Sequence, residues 1–383
     1  MERYDELRRF VMPEVVFGPG AVDLVGSCAA NLGLNRVLLV TDPGVLSTDW
    51  VRRAWESLDR EGVEWRIFSD ITSNPRSEQI MKGVESYIEG ECDGLVAVGG
   101  GSPMDSAKGI GIVVSNGGHI LDFKGIDKVT VPMPPLICIP TTGGSSADVS
   151  QFAIVNDENR GVKVAIISKA IIPDMALVDY HTLSTMDRYL TACTALDALT
   201  HAFEAYVSTG SSAISDLYAL SAVELISQSL FKALEDDSDR REIMMASLEA
   251  GLAFSNASLG AVHAMAHALG GYLDLPHGEC NALLLSTVVD RNFHGAPSRY
   301  RELARRISIP VDGLSDDEVR VRLVKAINDL RESSGISGGL RARGVTEDQI
   351  PLLASNAFDD PCMVTNPVRL EREDLEDLYV RAL

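Results

Sequence analysis

Short apolar segments alternate with helix-forming segments over the first 180 residues of the chain. The predicted strands are RVLLVTD (36–42), VEWRIFS (63–69), GLVAVGGG (94–101), PLICIPTT (135–142), KVAIIS (163–168) and MALVD (175–179). Most are apolar throughout, which is typical of strands that are buried on both faces of a parallel sheet. Helical patterns such as WVRRAWESLDREG (50–62) and SEQIMKGVESYIEG (77–90) lie between them, and each closes on a glycine. The alternation predicts an α/β domain with a mostly parallel, doubly wound sheet.

The strand pattern stops near residue 180, and helical periodicity continues to Leu383. Segments such as LTACTALDALTHAFEAYVS (190–208) and REIMMASLEAGLAFS (241–255) are rich in alanine and carry apolar residues at helical spacing. We therefore predict an α/β domain over residues 1–180 and an all-α domain over residues 181–383. A chain of 383 residues is long enough for each domain to bury its own core.

Charge and cysteine usage argue against several classes of partner. The formal net charge is −21 at pH 7. Such a chain repels nucleic-acid phosphates and anionic lipid headgroups, so we expect neither nucleic acid nor a membrane as a partner. The N-terminal stretch MERYDELRRF lacks the apolar core of a signal peptide, and the six cysteines include no CxxC pair. These features favour a cytoplasmic protein.

The segment GLVAVGGGSPMDSAKGIGI (94–112) runs from a predicted strand through a glycine-rich turn into a predicted helix. Glycines let the backbone turn tightly and approach a ligand closely. We predict that Ser102 caps the following helix and that Asp105 completes a capping box. Free N–H groups at that helix start would attract a pyrophosphate. The pattern is neither GxGxxG nor GxxxxGK[ST], so a well-capped structural turn is the alternative.

A second turn of the same kind ends the strand in PLICIPTTGGSSAD (135–148). Two such turns at strand ends indicate one long ligand along the sheet edge, as a dinucleotide lies. Asp42 ends the first strong strand, where a carboxylate binds a ribose 2′-OH and repels a 2′-phosphate. An aspartate before a proline is also common in ordinary turns.

Acidic and histidine side chains recur at helical spacing in the second half. Asp197 and His201 are four residues apart, as are His263 and His267, so each pair shares one face of a helix. Burying such groups among Ala, Leu and Met is costly unless they are paired or bind a metal. One divalent cation would satisfy all of them, although each pair also fits an ordinary helix contact.

The spacing leaves the exact ligand set open. We expect Gly270 and Gly271 to end the second helix and His277 to follow in a loop. Imidazoles with one carboxylate suit Fe²⁺ or Zn²⁺. Spacing alone does not decide which of His263, His267 and His277 are ligands.

Four motifs in order resemble those of the iron-containing (group III) alcohol dehydrogenase family. They are GGGSPMDSAK (99–108), PTTGGSSADV (140–149), DALTHAFEAYVS (197–208) and GAVHAMAHALGGYLDLPHG (260–278). The resemblance extends to the closing segment FDDPCMVTNPVRLEREDLEDLY (358–379). It implies the fold shared with dehydroquinate synthase, in which an N-terminal dinucleotide-binding domain precedes a helical metal-binding domain.

The resemblance also implies roles for individual residues. The implied metal ligands are Asp197, His201, His263 and His277, with His267 close to the metal but outside the ligand set. The implied cofactor-binding residues are Asp42, Gly99, Gly100, Gly101, Ser102, Asp105, Thr141, Thr142, Ser145 and Lys163. Phe254, Leu259 and Cys362 match substrate-pocket positions, with core packing as the alternative. The second turn departs from the family, because Asp148 stands where many members have a longer glutamate.

The implied activity is an NAD-dependent and metal-dependent interconversion of a small primary alcohol or diol and its aldehyde. Asp42 favours NAD over NADP, the metal is expected to be Fe²⁺ or alternatively Zn²⁺, and relatives are commonly dimers or larger homo-oligomers. His267 either relays a proton or is a structural neighbour of the metal. The alternatives are a glycerol or polyol dehydrogenase of the same fold, a sugar-phosphate cyclase and a metal-dependent hydrolase. The cyclase would need a basic cluster near the metal motifs, and the hydrolase would have no use for the two glycine turns.

Overall fold

The computed structural model describes residues 7–158, 160–236 and 240–383. These form two compact units, one of residues 11–185 with 240–244 and one of residues 186–236 and 245–383 with 7–10. The first unit extends past residue 180 because the 3-10 segment Tyr180–Thr185 is bonded to it. The hydroxyl of Thr182 donates to the carbonyl oxygen of Pro140 at 2.7 Å. The cofactor and metal roles that we predicted for residues 1–180 and 181–383 stay predictions.

Strands within the described residues all belong to the first unit. They are β1 (Glu14–Phe17), β2 (Arg36–Val40), β3 (Glu64–Phe68), β4 (Gly94–Gly99), β5 (Gly125–Ile126), β6 (Leu136–Pro140), β7 (Phe152–Asp157), β8 (Val162–Ile167) and β9 (Met175–Val178). A six-stranded parallel sheet has the order β1-β9-β6-β4-β2-β3. The predicted α/β architecture is confirmed.

The strand β8 differs from its prediction, because it lies outside the parallel sheet. It is the middle strand of a three-stranded sheet with the order β5-β8-β7, and it runs antiparallel to β7. Its apolar run indicated burial correctly, since most of the strand is buried. Strands can be buried on both faces in parallel and in antiparallel sheets. The apolar composition of β8 therefore predicted its burial but not the sheet to which it belongs.

The parallel sheet is covered on both faces by α1 (Val25–Asn31), α2 (Pro43–Leu46), α3 (Asp49–Arg60), α4 (Ser77–Glu89) and α5 (Gly101–Asn116). Successive side chains of a strand point to opposite faces. Leu38 and Val40 of β2 belong to the core cluster on the side of α4 and α5. Val37 and Leu39 belong to the cluster on the side of α1 and α3. Two cores therefore explain why the inner strands β4 and β6 are buried and lack polar side chains at every position.

The glycines predicted to close α3 and α4 behave differently from each other. Gly62 follows α3 in the left-handed region, at φ +72°. Gly90 is still right-handed at φ −77°, and Glu91 takes the left-handed position at φ +49°. Position 90 favours glycine because of limited space and not because of its backbone conformation. A Cβ there would lie 3.0 Å from Cys92 Sγ and from the Ser86 carbonyl oxygen.

The second unit is helical, as predicted. Its helices are α6 (Arg188–Val207), α7 (Ala213–Glu235), α8 (Arg241–Ala257), α9 (Ala261–Leu273), α10 (His277–Asn292), α11 (Pro297–Arg306), α12 (Asp316–Ser333), α13 (Ile350–Phe358) and α14 (Arg372–Ala382). α6 packs against α7 and α10, and α9 packs against α10 and α13. Within the described ranges, no helix combines the length and apolar character needed to cross a membrane.

The predicted end of α9 was wrong. The helix continues through Gly270 and Gly271 to Leu273, and Asp274 then adopts a left-handed conformation at φ +54°. A glycine costs a helix only about 1 kcal/mol relative to alanine, and the buried apolar side chains of α9 outweigh that cost. His277 is consequently the first residue of α10 and does not lie in a loop.

Candidate functional site

Four of the predicted ligands converge in the second unit. Asp197, His201, His263 and His277 each offer one ligand atom, and these atoms all lie within 4.8 Å of one another. The first three side chains are buried, and His277 is partly exposed. α6 supplies Asp197 and His201, α9 supplies His263, and the start of α10 supplies His277. The packing of α10 against both α6 and α9 brings the four together.

A glycine beside His277 permits this convergence. A Cβ at Gly278 would lie 2.2 Å from the carbonyl oxygen of Cys193 and 3.1 Å from Cβ of Asp197. Only glycine therefore allows the first turn of α10 to approach α6 so closely. The sequence motif contains this glycine, but the helix that it approaches is evident only from the structure.

Asn281 marks the centre of the group, although no motif in the sequence predicted a role for it. Its Nδ2 lies 2.6 Å from Oδ1 of Asp197, 3.1 Å from Nε2 of His263 and 3.3 Å from Nε2 of His277. An amide nitrogen carries two hydrogens and cannot donate to three acceptors at once. Three electron-pair donors that face one point fit a cation, and two imidazoles with a carboxylate suit Fe²⁺ or Zn²⁺. The sequence did contain one indication of this role, because Asn281 lies four residues after His277 and therefore on the same face of α10.

A buried carboxylate, Glu204, contacts the ring of His263. Its Oε2 lies 2.6 Å from Nδ1 of His263, and its Oε1 accepts a hydrogen bond from the backbone N–H of Val262 at 2.7 Å. Burial raises the pKa of Glu204 to about 7, against the opposing effect of the backbone N–H groups of Val262, Gly260 and His263. Burial also lowers the pKa of His263 well below its ordinary value, with a smaller contribution from His267. A neutral ring has the lone pair that a metal ligand needs.

His267 lies beside the ligand group and forms a second cluster. Its ring stacks on that of His277, with centroids 5.2 Å apart. Nδ1 of His267 lies 2.9 Å from Oδ2 of Asp360, whose side chain is buried. The ligand atoms of His267, Asp360 and Cys362 also lie within 4.8 Å of one another. Asp360 is 93 positions away along the chain, so no local spacing in the sequence indicated this contact.

The three predicted pocket residues are all buried. Phe254 stacks on the ring of His201, with centroids 4.2 Å apart and planes at 17°. The backbone N–H of Cys362 donates to Oδ1 of Asp360 at 2.8 Å. The carbonyl oxygen of Leu259 accepts a hydrogen bond from the hydroxyl of Thr365. Phe254 thus contacts the ligand group directly, and Cys362 adjoins the His267 cluster.

The two predicted cofactor turns meet in the first unit, because β4 and β6 are parallel neighbours. The backbone N–H of Thr141 donates to the carbonyl oxygen of Gly99 at 2.8 Å. A Cβ at Gly100 would lie 3.0 Å from Cγ2 of Thr142, and one at Gly101 would lie 3.1 Å from Cβ of Ser145. Glycine at these positions lets the turns touch and exposes backbone along one sheet edge.

The predicted capping role of Ser102 was wrong. α5 begins at Gly101, its N-cap is Gly100, and Ser102 is the second helical residue. The hydroxyl of Ser102 instead accepts a hydrogen bond from the backbone N–H of Asn74 at 3.2 Å. The tight glycine turn starts the helix two residues earlier than the capping pattern indicated. Because a glycine N-cap has no side-chain acceptor, the first N–H groups of α5 suit an anionic ligand.

The remaining predicted cofactor residues occupy separate positions in the same unit. Oδ1 of Asp42 accepts hydrogen bonds from the backbone N–H groups of Gly44 at 2.8 Å and Val45 at 3.0 Å, so Asp42 caps α2. These bonds do not use its second carboxylate oxygen. Asp105 is buried on α5, and Lys163 is buried on β8 of the three-stranded sheet.

Comparison with known proteins gives matches to family models in both halves of the chain. Residues 13–180 match the model described as iron-containing alcohol dehydrogenase, and residues 191–383 match the C-terminal model of the Fe-containing alcohol dehydrogenase family. The NAD-dependent methanol dehydrogenase of Bacillus methanolicus is 35% identical over 377 residues, which cover 98% of this chain and 99% of that protein.

Two further relatives act on other small substrates. The lactaldehyde reductase of Escherichia coli (strain K12) is 34% identical over 375 residues, which cover 97% of this chain and 98% of that protein. A crystal structure of 1,3-propanediol oxidoreductase superposes with a TM-score of 0.95 at 34% identity, covering 99% of this chain and 100% of that one.

Proposed function

Because the chain belongs to the iron-containing alcohol dehydrogenase family, we propose that its four converging side chains hold one divalent metal ion and that its paired turns bind NAD. The chain is an oxidoreductase that interconverts an alcohol or diol and its aldehyde. The observation that carries the metal proposal is the convergence of Asp197, His201, His263 and His277 within 4.8 Å. The proposed ion is Fe²⁺, with Zn²⁺ as the alternative.

The residues of the site prepare it for an alcohol. Asp197 contributes one negative charge, so a bound dication keeps about one net positive charge. Such an ion, when bound, lowers the pKa of a substrate hydroxyl and polarises an aldehyde carbonyl. His263 contributes a neutral ring, and Phe254 stacks on His201 and shields that side of the site from water.

We propose that His267 moves the proton of the reaction. Asp360 accepts the hydrogen bond of Nδ1, so Nε2 remains as the nitrogen that can take up and release a proton. The alternative is that His267 only packs against His277. Both versions keep His267 outside the metal ligand set.

NAD is the proposed cofactor, and its nicotinamide supplies the hydride acceptor. Gly99, Gly100 and Gly101 would approach the pyrophosphate, and the carboxylate of Asp42 would repel a 2′-phosphate. We assign supporting contacts to the other predicted cofactor residues, which are Ser102, Asp105, Thr141, Thr142, Ser145 and Lys163. The relative from Bacillus methanolicus is also NAD-dependent.

The proposed substrate is a short primary alcohol or a diol, with the corresponding aldehyde. Phe254, Leu259 and Cys362 are proposed to line its pocket, and relatives act on methanol, lactaldehyde and 1,3-propanediol. We also propose a cytoplasmic location, in keeping with six cysteines that form no disulfide, and a homo-oligomer, which light scattering would measure.

The first experiment follows NADH oxidation with short aldehydes and with hydroxyaldehydes. The protein is purified without oxygen, treated with a chelator and reloaded with Fe²⁺ or Zn²⁺. We expect activity to disappear with the chelator and to return with one of the two ions. Activity that survives complete metal removal would contradict the metal proposal. In the opposite direction, faster reduction of NAD⁺ with glycerol than with short alcohols would favour a polyol dehydrogenase.

Ligand variants test the assignment of the metal site. Asp197→Ala and His263→Ala should each lose the metal and the activity, because each removes a ligand atom from the converging group. Tyr272→Ala, at an exposed position on α9, is the matched control and should retain both. A metal-free Asp197→Ala protein that is still active would rule out the assigned ligand set.

A further inference from the structure

We infer that Glu204 fixes the ring of His263 in the orientation and tautomer that direct Nε2 at the metal, and that it thereby sets metal affinity. This inference rests on the proposed metal site. Glu204 follows His201 on α6 by three residues, so both lie on one face of the helix. It is therefore a positioning residue, because it contacts a ligand and not the ion.

The contacts of the Glu204 side chain define its role as an acceptor. Its exposed fraction is 6%, and that of His263 is 1%. Oε1 accepts from the backbone N–H of Val262 at 2.7 Å, and Oε2 accepts from that of His263 at 3.3 Å. An ionised carboxylate has no hydrogen to donate, so the 2.6 Å contact of Oε2 with Nδ1 of His263 places the ring proton on Nδ1.

The proton on Nδ1 determines the chemistry of the opposite ring atom. A neutral imidazole with its hydrogen on Nδ1 carries its lone pair on Nε2. Nε2 of His263 lies 3.1 Å from Nδ2 of Asn281, at the point where the donor atoms converge. The ring therefore connects the Glu204 carboxylate with the proposed ion. Such outer contacts orient metal-binding histidines and raise their basicity.

Glu204 also caps the first turn of α9, and this second role supplies a control. Oδ1 of Asn366 accepts a hydrogen bond from the backbone N–H of Ala261 at 3.1 Å, at the same helix start. A Cβ at Gly260 would lie 2.9 Å from Oε1 of Glu204 and 2.8 Å from Oδ1 of Asn366, so glycine there admits both. Both side chains cap α9, but of the two only Glu204 is bonded to the His263 ring.

Glu204→Gln separates the two roles of the carboxylate. A glutamine keeps one oxygen for the backbone N–H groups but places an amide donor beside Nδ1 of His263. That donor requires a lone pair on Nδ1, which moves the ring proton to Nε2, the atom that the metal needs. We expect metal affinity to fall by about 10- to 100-fold, the range typical of outer-shell substitutions.

The test measures metal affinity by competition with a chelating dye, using Zn²⁺ and Co²⁺, and records the visible spectrum of the Co²⁺ protein. Asn366→Ala is the matched control, because it weakens the same helix start without touching His263. We expect it to lower thermal stability and to leave metal affinity and the Co²⁺ spectrum unchanged. Equal affinity losses in both variants would mean that capping alone holds the site, and the inference would be wrong.

Further outcomes separate this inference from the proposed function. An unmodified protein that binds neither ion would refute the metal proposal itself. An unmodified protein that binds the ion, together with a Glu204→Gln variant that binds it equally well, would overturn only the role of Glu204. Glu204→Asp retains an acceptor at a greater distance from Nδ1, so we expect it to bind metal more tightly than Glu204→Gln. If the glutamine variant does not fold, equal affinities of Glu204→Asp and Asn366→Ala would contradict the inference.

Discussion

Nδ1 of His267 lies 2.9 Å from Oδ2 of Asp360, and both side chains are buried in the helical unit. Burial alone would raise the pKa of the Asp360 carboxyl, but the neighbouring His267 side chain and the hydrogen bonds from His267 and Cys362 hold that pKa below its ordinary value. An ionised Asp360 keeps the ring proton of His267 on Nδ1. The histidine therefore has one fixed nitrogen and one nitrogen that is available for proton transfer.

Replacing His267 tests the proposed proton transfer. We expect His267→Ala to lower turnover by about 10²- to 10⁴-fold, the usual contribution of a positioned acid or base, with its metal content unchanged. The measurements are kcat as a function of pH and metal analysis of the same preparation. Full turnover with an unchanged pH profile would refute the relay, and loss of the metal would place His267 among the ligands.

Asp42 combines a capping role with the proposed cofactor role, and two substitutions separate them. Asp42→Ser and Asp42→Ala both remove the charge that would repel a 2′-phosphate, but only serine can still accept from the N–H groups of Gly44 and Val45. We expect both variants to raise kcat/KM for NADP relative to NAD. Only Asp42→Ala should also lose stability, by about 1 kcal/mol. An unchanged cofactor preference in both variants would remove Asp42 from the cofactor site.

The sequence predicted the parts of the site that depend on local spacing. Asp197 and His201 share one helix as expected, and so do His263 and His267, because four residues make about one helical turn. The turns after β4 and β6 also meet as expected, since the carboxyl ends of neighbouring parallel strands lie at one edge of a sheet.

The supporting contacts could not be predicted from spacing, because they join distant parts of the chain. Glu204 and His263 are 59 positions apart, and His267 and Asp360 are 93 positions apart. A glutamate in an alanine-rich helix shows no local sign of the ring that it contacts. The end of α9 was also predicted wrongly from the sequence. Burial of the apolar side chains of α9 outweighs the free-energy cost of placing Gly270 and Gly271 in a helix.

Lys108 links α5 to β7 in the first unit and is fully buried. Its ammonium group donates to the carbonyl oxygens of Ser150 at 2.8 Å and Phe152 at 2.7 Å. We expect Lys108→Met to cost about 3 kcal/mol or more, because it leaves two buried carbonyl groups without their donor. Guanidinium unfolding would measure the loss.

Lys82→Met is the control for Lys108→Met, because it removes an exposed ammonium that pairs with Asp70 at 2.9 Å. Exposed ion pairs contribute little, so we expect no measurable change in the unfolding midpoint. Similar midpoints for the two variants would show that the buried hydrogen bonds of Lys108 do not stabilise the unit.

Asp148, which is buried in the first unit, should make the stability of that unit depend on pH. Burial raises the pKa of its carboxyl from 3.8 to about 6, against the opposing effect of its own backbone N–H and of Lys108. Between these two values the folded protein binds more protons than the unfolded chain, so this group makes stability fall as pH rises through the window. Above pH 6 the cost is at most about 3 kcal/mol, since one pKa unit corresponds to about 1.4 kcal/mol.

Asp148→Asn removes this titration and should raise the free energy of unfolding at pH 8 more than at pH 4. The measurement is the guanidinium midpoint of each protein at both pH values. Asp70→Asn, at an exposed carboxylate, is the control. The difference between its guanidinium midpoints at pH 4 and pH 8 should equal that of the unmodified protein. Lys108→Met should enlarge the difference between the midpoints at the two pH values, because it removes the cation that favours ionised Asp148. An Asp148→Asn protein with the pH dependence of the unmodified chain would show that Asp148 does not titrate in this window.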